Sequence, residues 1–399
     1  PIIEKVYGLN DDFGVERASY DKCVEFIRNE LIEAQRMLPE QQPASEQGRA
    51  SGDACQALLA RVLLYWASPL NNPTNDRQRW TDAANAAWAL IDKHYRLIDD
   101  YGDVFLSWND EVIFARAFSQ ANSTEFATWA GRSGDNGQGV ITPTQNMVNA
   151  YEMQATGLRP YVEQADGTLT LNAGSGYDPA NPYAGRDPRF YASVLYDGSV
   201  WMGRETEIFY GGLDEANSKV SSQPWNATQT GYYLRKFLDE SIPPTGSSVK
   251  MTSPWIFMRY AEVLLNYAEA KFEEGDEPTA RFYLKQVRQR PGVNMPEVKD
   301  SGDALRERIH NERRVELAFE HHRFFDVRRW KVAERTETFP LQKMVITKDE
   351  TSGTKNYDIQ ILKNREFRSY QLLLPIPRTE IEKSLNTLEQ NDGYVKTAE

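Results

Sequence analysis

Three of the four histidines, His310, His321 and His322, fall in one stretch from His310 to Trp330 that also holds Glu312, Glu316, Glu320, Asp326 and the arginines 313, 314, 323, 328 and 329. A metal site wants two histidines one helical turn apart with a carboxylate aimed at the same point, whereas the adjacent His321 and His322 leave a helix in different directions. The interleaved acids and arginines fit a structural ion-pair network joining two packed helices, because a planar guanidinium meets a carboxylate through two donors at once. Those carboxylates also offset the positive charge that a nucleic acid would need. For nucleophilic catalysis there is no Gly-x-Ser-x-Gly elbow, and neither Cys23 nor Cys55 has a usable histidine signature. Gly131, Gly134, Gly137 and Gly139 form a glycine-rich run without the Lys-Ser/Thr of a phosphate loop. A carboxylate pair acting on a glycosidic bond stays open, since its members need not be near in sequence and 58 acids supply candidates.

The remaining chemistry is aromatic. Residues 119–250 hold 15 of the 25 Gly and 8 of the 20 Pro, together with Trp129, Trp201, Trp225 and nine Tyr. Aromatic rings on Gly/Pro-rich loops can offer flat apolar faces to a sugar while nearby Asn, Asp and Arg bond its hydroxyls. Tyr177, Trp201, Tyr210 and Trp225 are the candidate ligand-binding residues on that reading. The alternative for each is that it plugs gaps in the packing of its own loops.

The bulk properties agree with a globular chain that avoids polyanions. Its 399 residues carry 58 acids against 46 Lys and Arg, a formal charge of −12, which argues against a nucleic-acid partner. At 40% hydrophobic residues the chain can build a sizeable core. No window of about 18 uninterrupted apolar residues marks a membrane span, and Pro1-Ile2-Ile3-Glu4-Lys5 lacks the features of a signal peptide. The two cysteines have no paired spacing that argues for a disulfide or a metal. No cofactor is implied.

Helical elements must position the aromatic loops. Tyr20, Val24, Ile27, Leu31, Ala34 and Leu38 recur in steps of four and three behind Ser19, a natural N-cap, and before Pro39. Asp53 to Ser68 is apolar nearly all round and should be buried on most sides. Arg79 to Lys93 places Trp80, Ala83, Ala84, Ala87 and Ile91 on one side. The same order returns as a helix over Pro254 to Glu274, a Gly275-Asp276 break, and a second helix from Thr279 to Arg290 stopped by Pro291. The pair ending at Pro291, and more loosely Ala57 to His94, follow the helix-turn-helix logic of a tetratricopeptide repeat, a pattern that any Ala-rich antiparallel helix pair also gives. The helical scaffold so read spans 17–94 and 254–333, flanking the loop-rich segment 119–250. Strand-like runs occur at Val112 to Ala117, Tyr191 to Tyr196 and Ser369 to Leu374, with a short helix at Thr379 to Ser384. After Glu334 the chain reads as otherwise irregular.

Several runs resemble the SusD/RagB-like proteins of the Bacteroidetes outer membrane. They are Trp255 to Asp276, Glu312 to Trp330, Asn181-Pro182-Tyr183 with Arg186-Asp187-Pro188-Arg189-Phe190-Tyr191, Tyr233-Leu234-Arg235-Lys236-Phe237, and Leu374-Pro375-Ile376-Pro377 through Gln390-Asn391-Asp392-Gly393-Tyr394. The similarity runs from about residue 1 to residue 394 and treats 1–399 as a single unit. It implies a mainly α fold, with tetratricopeptide-like helix pairs as scaffold, an irregular loop-rich segment and a few short strands. It further implies a non-catalytic lipoprotein that captures a glycan for a SusC-like TonB-dependent outer-membrane transporter. Its lipid anchor and further helices are expected before Pro1, and neither Cys23 nor Cys55 is that anchor. The alternatives are a glycoside hydrolase built on helices and a helical-repeat module that binds a peptide or protein.

Overall fold

The computed structural model describes residues 1–91, 93–164, 167–245, 250–384 and 387–395. Seven principal helices, labelled in chain order, make the frame: α1 (Tyr20–Met37), α2 (Gly52–Ala67), α3 (Arg77–Trp88), α4 (Tyr260–Glu273), α5 (Glu277–Arg288), α6 (Gly302–Glu316) and α7 (His322–Arg329). Their starts follow from local chemistry. The side chains of Ser19, Ser51, Asp76 and Asp276 each accept a backbone N–H of the first turn of α1, α2, α3 and α5. Gly275, at φ +90°, turns the chain between α4 and α5 in the left-handed region that glycine enters at no steric cost.

Hairpin α2/α3 and hairpin α4/α5 pack through α3 against α4, so two regions nearly 200 positions apart share one core. Leu63, Leu64, Ala84, Ala87, Leu264, Leu265, Ala268 and Leu284 are fully buried within it. Alanine on the facing sides lets the backbones approach closely. This is the mainly helical, paired-helix architecture expected from the apolar spacing. Helix α3 ends at Trp88 in a tight turn, short of the expected Lys93; Asp92 lies outside the described residues.

Four local readings are corrected. Trp255–Arg259 is a strand and not the first turns of a helix; it pairs antiparallel with Val112–Arg116, placing Ala115 opposite Ile256. The aromatic Trp-Ile-Phe-Met run suits a pleated, half-buried surface once a partner strand is available. The first half of Tyr191 to Tyr196 belongs to a helix, Pro188–Ser193, because Asp187 caps it and Pro188 fits its first turn, leaving only Val194–Leu195 extended. Ser369–Leu372 is a 3-10 turn. A hairpin of Leu341–Lys348 and Lys355–Lys363 occupies the region read as irregular, with Met344 and Ile346 turned into the core.

The middle segment has a second, aromatic core of its own. Phe190, Tyr232, Tyr233 and Leu234 are fully buried there, beside Tyr101, Phe105 and Phe237. Short helices and two-stranded sheets surround it.

Candidate functional site

The scaffold and the loop-rich segment are joined by buried charge. Glu316, near the end of α6, accepts from Arg259 at 2.7 Å, Arg290 at 2.6 Å and Arg189 at 2.9 Å. Glu312, one turn earlier, meets Arg189 and, at 2.6 Å, Arg288. After α6 the chain turns through Phe319 and His321, both left-handed at φ +65° and +67°, which carries Glu320 inward to Arg259 at 2.8 Å and Lys236 at 2.7 Å. Burial alone would raise the Glu320 carboxyl, but Arg259 and Lys236 hold it down at about 2. The same burial pulls the Lys236 ammonium down to about 8, with Glu320 opposing it. An ion-pair network was expected within Glu312 to Trp330. The structure draws most of its partners from elsewhere: Arg189 and Lys236 from the middle segment, Arg259 from its strand, Arg288 and Arg290 from the end of α5.

The histidines are spent on packing. His310 stacks flat on Trp330 with ring centres 3.5 Å apart, and burial holds its pKa down at about 4. His322 faces Glu262 at 3.9 Å, and His321 tilts against Trp255. Glu40, Asp53 and His94 converge elsewhere, but Lys93 already bonds Glu40 at 2.7 Å and Asp53 at 3.1 Å.

A cleft of about 1470 Å³ opens between α6, α7 and the middle segment. Much of its charged lining is internally paired: Arg308 with Glu152 and Asp300, Arg335 with Glu307, and Arg365 with Glu337. Of its two tryptophans, Trp330 stacks on His310 and has the Arg329 guanidinium 4.7 Å from its ring centre, and Trp255 packs against Phe126, Phe237 and His321. Arg314 donates to the Asn146 carbonyl at 2.8 Å, and burial lowers its pKa to about 9.

Exposed aromatic rings occur on the scaffold, Trp88 among them, and also on the glycine-rich loops. Trp129 is 46% exposed and Trp225 74%. The Trp129 carbonyl accepts Val140 N–H at 2.9 Å, and the next residue back, Gly139, lies directly against Asn226, the neighbour of Trp225. This contact explains the glycine run. A Cβ on Gly139 would lie 2.4 Å from the Asn226 carbonyl oxygen, and one on Gly137 would lie 2.2 Å from the Gly131 carbonyl carbon. Only bare backbone interdigitates so closely. Arg132 anchors the loop from beneath, bonding Asp135 at 2.7 Å, Thr206 at 2.8 Å and the Trp201 carbonyl at 2.9 Å. Arg204 ties Asp135 to Asp214. Asn136 and Ser222 bridge the two loops at 2.7 Å.

The four aromatics nominated from sequence separate into two kinds. Trp201 is 5% exposed, sits in a two-residue strand and has Arg235 over its ring at 5.3 Å. Tyr177 is 8% exposed, set edge-on to Tyr161 and beside Arg186. Both fill space within the segment, so a ligand could not stack on them as they stand. Tyr210, 66% exposed beside the left-handed Gly211, and Trp225 are open. Sequence reasoning passed over Trp129, whose signal was its place two residues before the glycine run.

Residues 110–394 match the model of the SusD family. The chain belongs to the SusD family. SusD-like protein P25 of Formosa agariphila is 25% identical over 400 residues, covering 95% of this chain and 66% of its own length. The curated relatives matched are spanned to between 44% and 66% of their lengths. A SusD-like protein from Bacteroides fragilis has a TM-score of 0.78 at 29% identity, covering 98% of this chain and 75% of its own. A SusD-like carbohydrate binding protein from the same species gives 0.75 at 26% identity, covering 96% and 74%. The buried charge network of this SusD-family chain includes Glu312, Glu316, Glu320, Arg189 and Lys236, all drawn from motifs that carried the sequence resemblance.

Proposed function

We propose that this SusD-family protein captures a glycan and passes it to a SusC-like TonB-dependent outer-membrane transporter, without cleaving it. The observation that carries this reading is the pair of open indole faces, Trp129 and Trp225, held on loops locked by backbone contact. Such a rigid platform binds sugar rings at low entropic cost. The likeness to a Bacteroides fragilis protein named as carbohydrate binding supports it. Surface display through a lipid anchor, and a lid-like seat on the transporter, belong to the same proposal.

A hydrolase reading finds less support. Glycoside hydrolysis needs one carboxyl kept protonated near neutral pH, which burial without a counter-charge would provide. Among the described residues the buried carboxyls with displaced pKa values, Glu262, Glu269, Glu312, Glu316, Glu320 and Asp326, are all displaced downward by arginine partners.

The test is affinity electrophoresis against a panel of plant, host and microbial polysaccharides, with the mixtures analysed for shorter sugars. Retardation without new products is expected. Product formation would move the assignment to a hydrolase, and absence of retardation by every polymer would reject glycan capture.

A further inference from the structure

We infer that the glycan held at Trp129 and Trp225 is uncharged, an inference that rests on the capture reading above. The solvent-facing polar side chains of residues 136–140 and 222–226, on the loops that carry the two indoles, are neutral: Asn136, Gln138, Ser222, Gln223 and Asn226. All are half-buried or exposed; Ser222 donates to Asn136 and Asn226 to Gln223, each at 2.7 Å, and the remaining amide and hydroxyl valences both donate and accept, matching the hydroxyls of a sugar. The charged residues within the loops are turned inward and spent. Arg132 is 1% exposed and bonded to Asp135, while Asp135 and Asp214 share Arg204. The exposed charges nearest in sequence, Glu125 and Lys219, are one of each sign.

A uronate or sulfate ester on a polymer needs a counter-cation at its seat, most effectively a free guanidinium with both donors available. The two loops present no free guanidinium, Lys219 being their exposed cation, and the formal charge of −12 adds a repulsive background for a polyanion. An uncharged polymer meets neither obstacle. Its affinity comes from ring stacking and neutral hydrogen bonds, and these are insensitive to ionic strength.

The experiment measures retention of neutral polymers (laminarin, xyloglucan, glucomannan) and acidic ones (polygalacturonate, alginate, carrageenan) at low and high salt. The wild-type chain is compared with Trp129→Ala, Trp225→Ala and Arg314→Gln, each checked for unchanged thermal melting. Expected are retention by a neutral polymer, a salt effect smaller than about twofold, a loss of about tenfold or more in each tryptophan variant, and no change in Arg314→Gln. Retention confined to acidic polymers, falling steeply with salt and lost in Trp225→Ala, would overturn the inference while leaving capture intact. Retention lost in Arg314→Gln but kept in both tryptophan variants would move the site to the cleft and overturn it as well. Failure to retain any polymer would reject the capture reading, and this inference with it.

Discussion

Arg189 of the middle segment donates to Glu316 of α6 at 2.9 Å, across 127 positions of sequence, and both side chains are fully buried. Arg259 and Arg290 bond the same carboxylate, so one acid offsets charge from three separate elements. A buried ion cluster adds less to net stability than its geometry suggests, because each group is taken out of water. Its removal is a different matter.

Glu316→Ala should therefore destabilise the fold by about 3–5 kcal/mol, the cost of leaving buried guanidinium groups without their counter-charge. Urea denaturation measures it. Exposed pairs such as Arg378 with Glu382 should change stability by less than about 1 kcal/mol when broken. A Glu316→Ala loss no larger than the Glu382→Ala loss would show that the network is not the joint between scaffold and loops.

Trp225→Ala and Trp201→Ala should part company. Trp225 is largely exposed, so its truncation leaves melting unchanged and weakens glycan retention by about tenfold or more. Trp201 is buried under Arg235, and its truncation costs about 3–5 kcal/mol through the cavity left behind. Melting and retention on the same two proteins check both halves. An unfolded Trp225→Ala would make that indole a packing residue.

Helices were legible in the sequence because their signal is local: a 3.6-residue apolar period, a capping Ser or Asp, and a stopping Gly or Pro. The strand Trp255–Arg259 was not, since its apolar residues also fit a helical stripe and its partner, Val112–Arg116, lies some 140 positions away. The hairpin after Leu341 hid for a related reason. Only one face of Leu341–Lys348 is buried, and Lys343 and Thr347 on the other face, with Gln342 on the buried one, dilute the apolar signal. For the site, composition located the aromatic loops but could not say which rings face outward. Burial of Trp201 depends on Arg235 coming to rest over its ring, and the placement of Trp225 on its loop meeting the backbone of Gly139, contacts between segments distant in sequence that no local pattern encodes.

Gly139→Ala should weaken glycan retention more than it weakens the fold. Its Cβ would enter the space of the Asn226 carbonyl, and its φ of +53° already disfavours a side chain. The loops bearing Trp129 and Trp225 would have to separate. Gly353→Ala is the control: its φ of +73° carries similar strain, about 1–2 kcal/mol, with no atom within 4 Å of the added Cβ. Circular dichroism should show unchanged helix in both, with retention lost only in Gly139→Ala. Equal retention in the two variants would mean that the loop contact does not set the platform.

Acid should destabilise the protein in two stages. His310 has its pKa lowered by burial to about 4, against an ordinary 6.5, so between those values the unfolded chain takes a proton that the native chain refuses. Stability then falls as pH drops from 6.5 to 4. Glu262 and Glu320, for which burial is outweighed by Arg61 and Arg259, are held at about 2 against an ordinary 4.5. Their contribution is fully present above pH 4.5 and is lost as pH falls toward 2. Both effects have the same sign, and His310→Phe separates them. A phenyl ring keeps a flat contact with Trp330 but cannot be protonated, so between pH 6.5 and 4.5 the urea midpoint of that variant should fall less steeply than that of the wild type, the remaining slope belonging to His322, whose pKa burial also lowers. A variant that still loses stability from pH 6.5, with the wild-type slope, would show that the upper stage does not belong to His310.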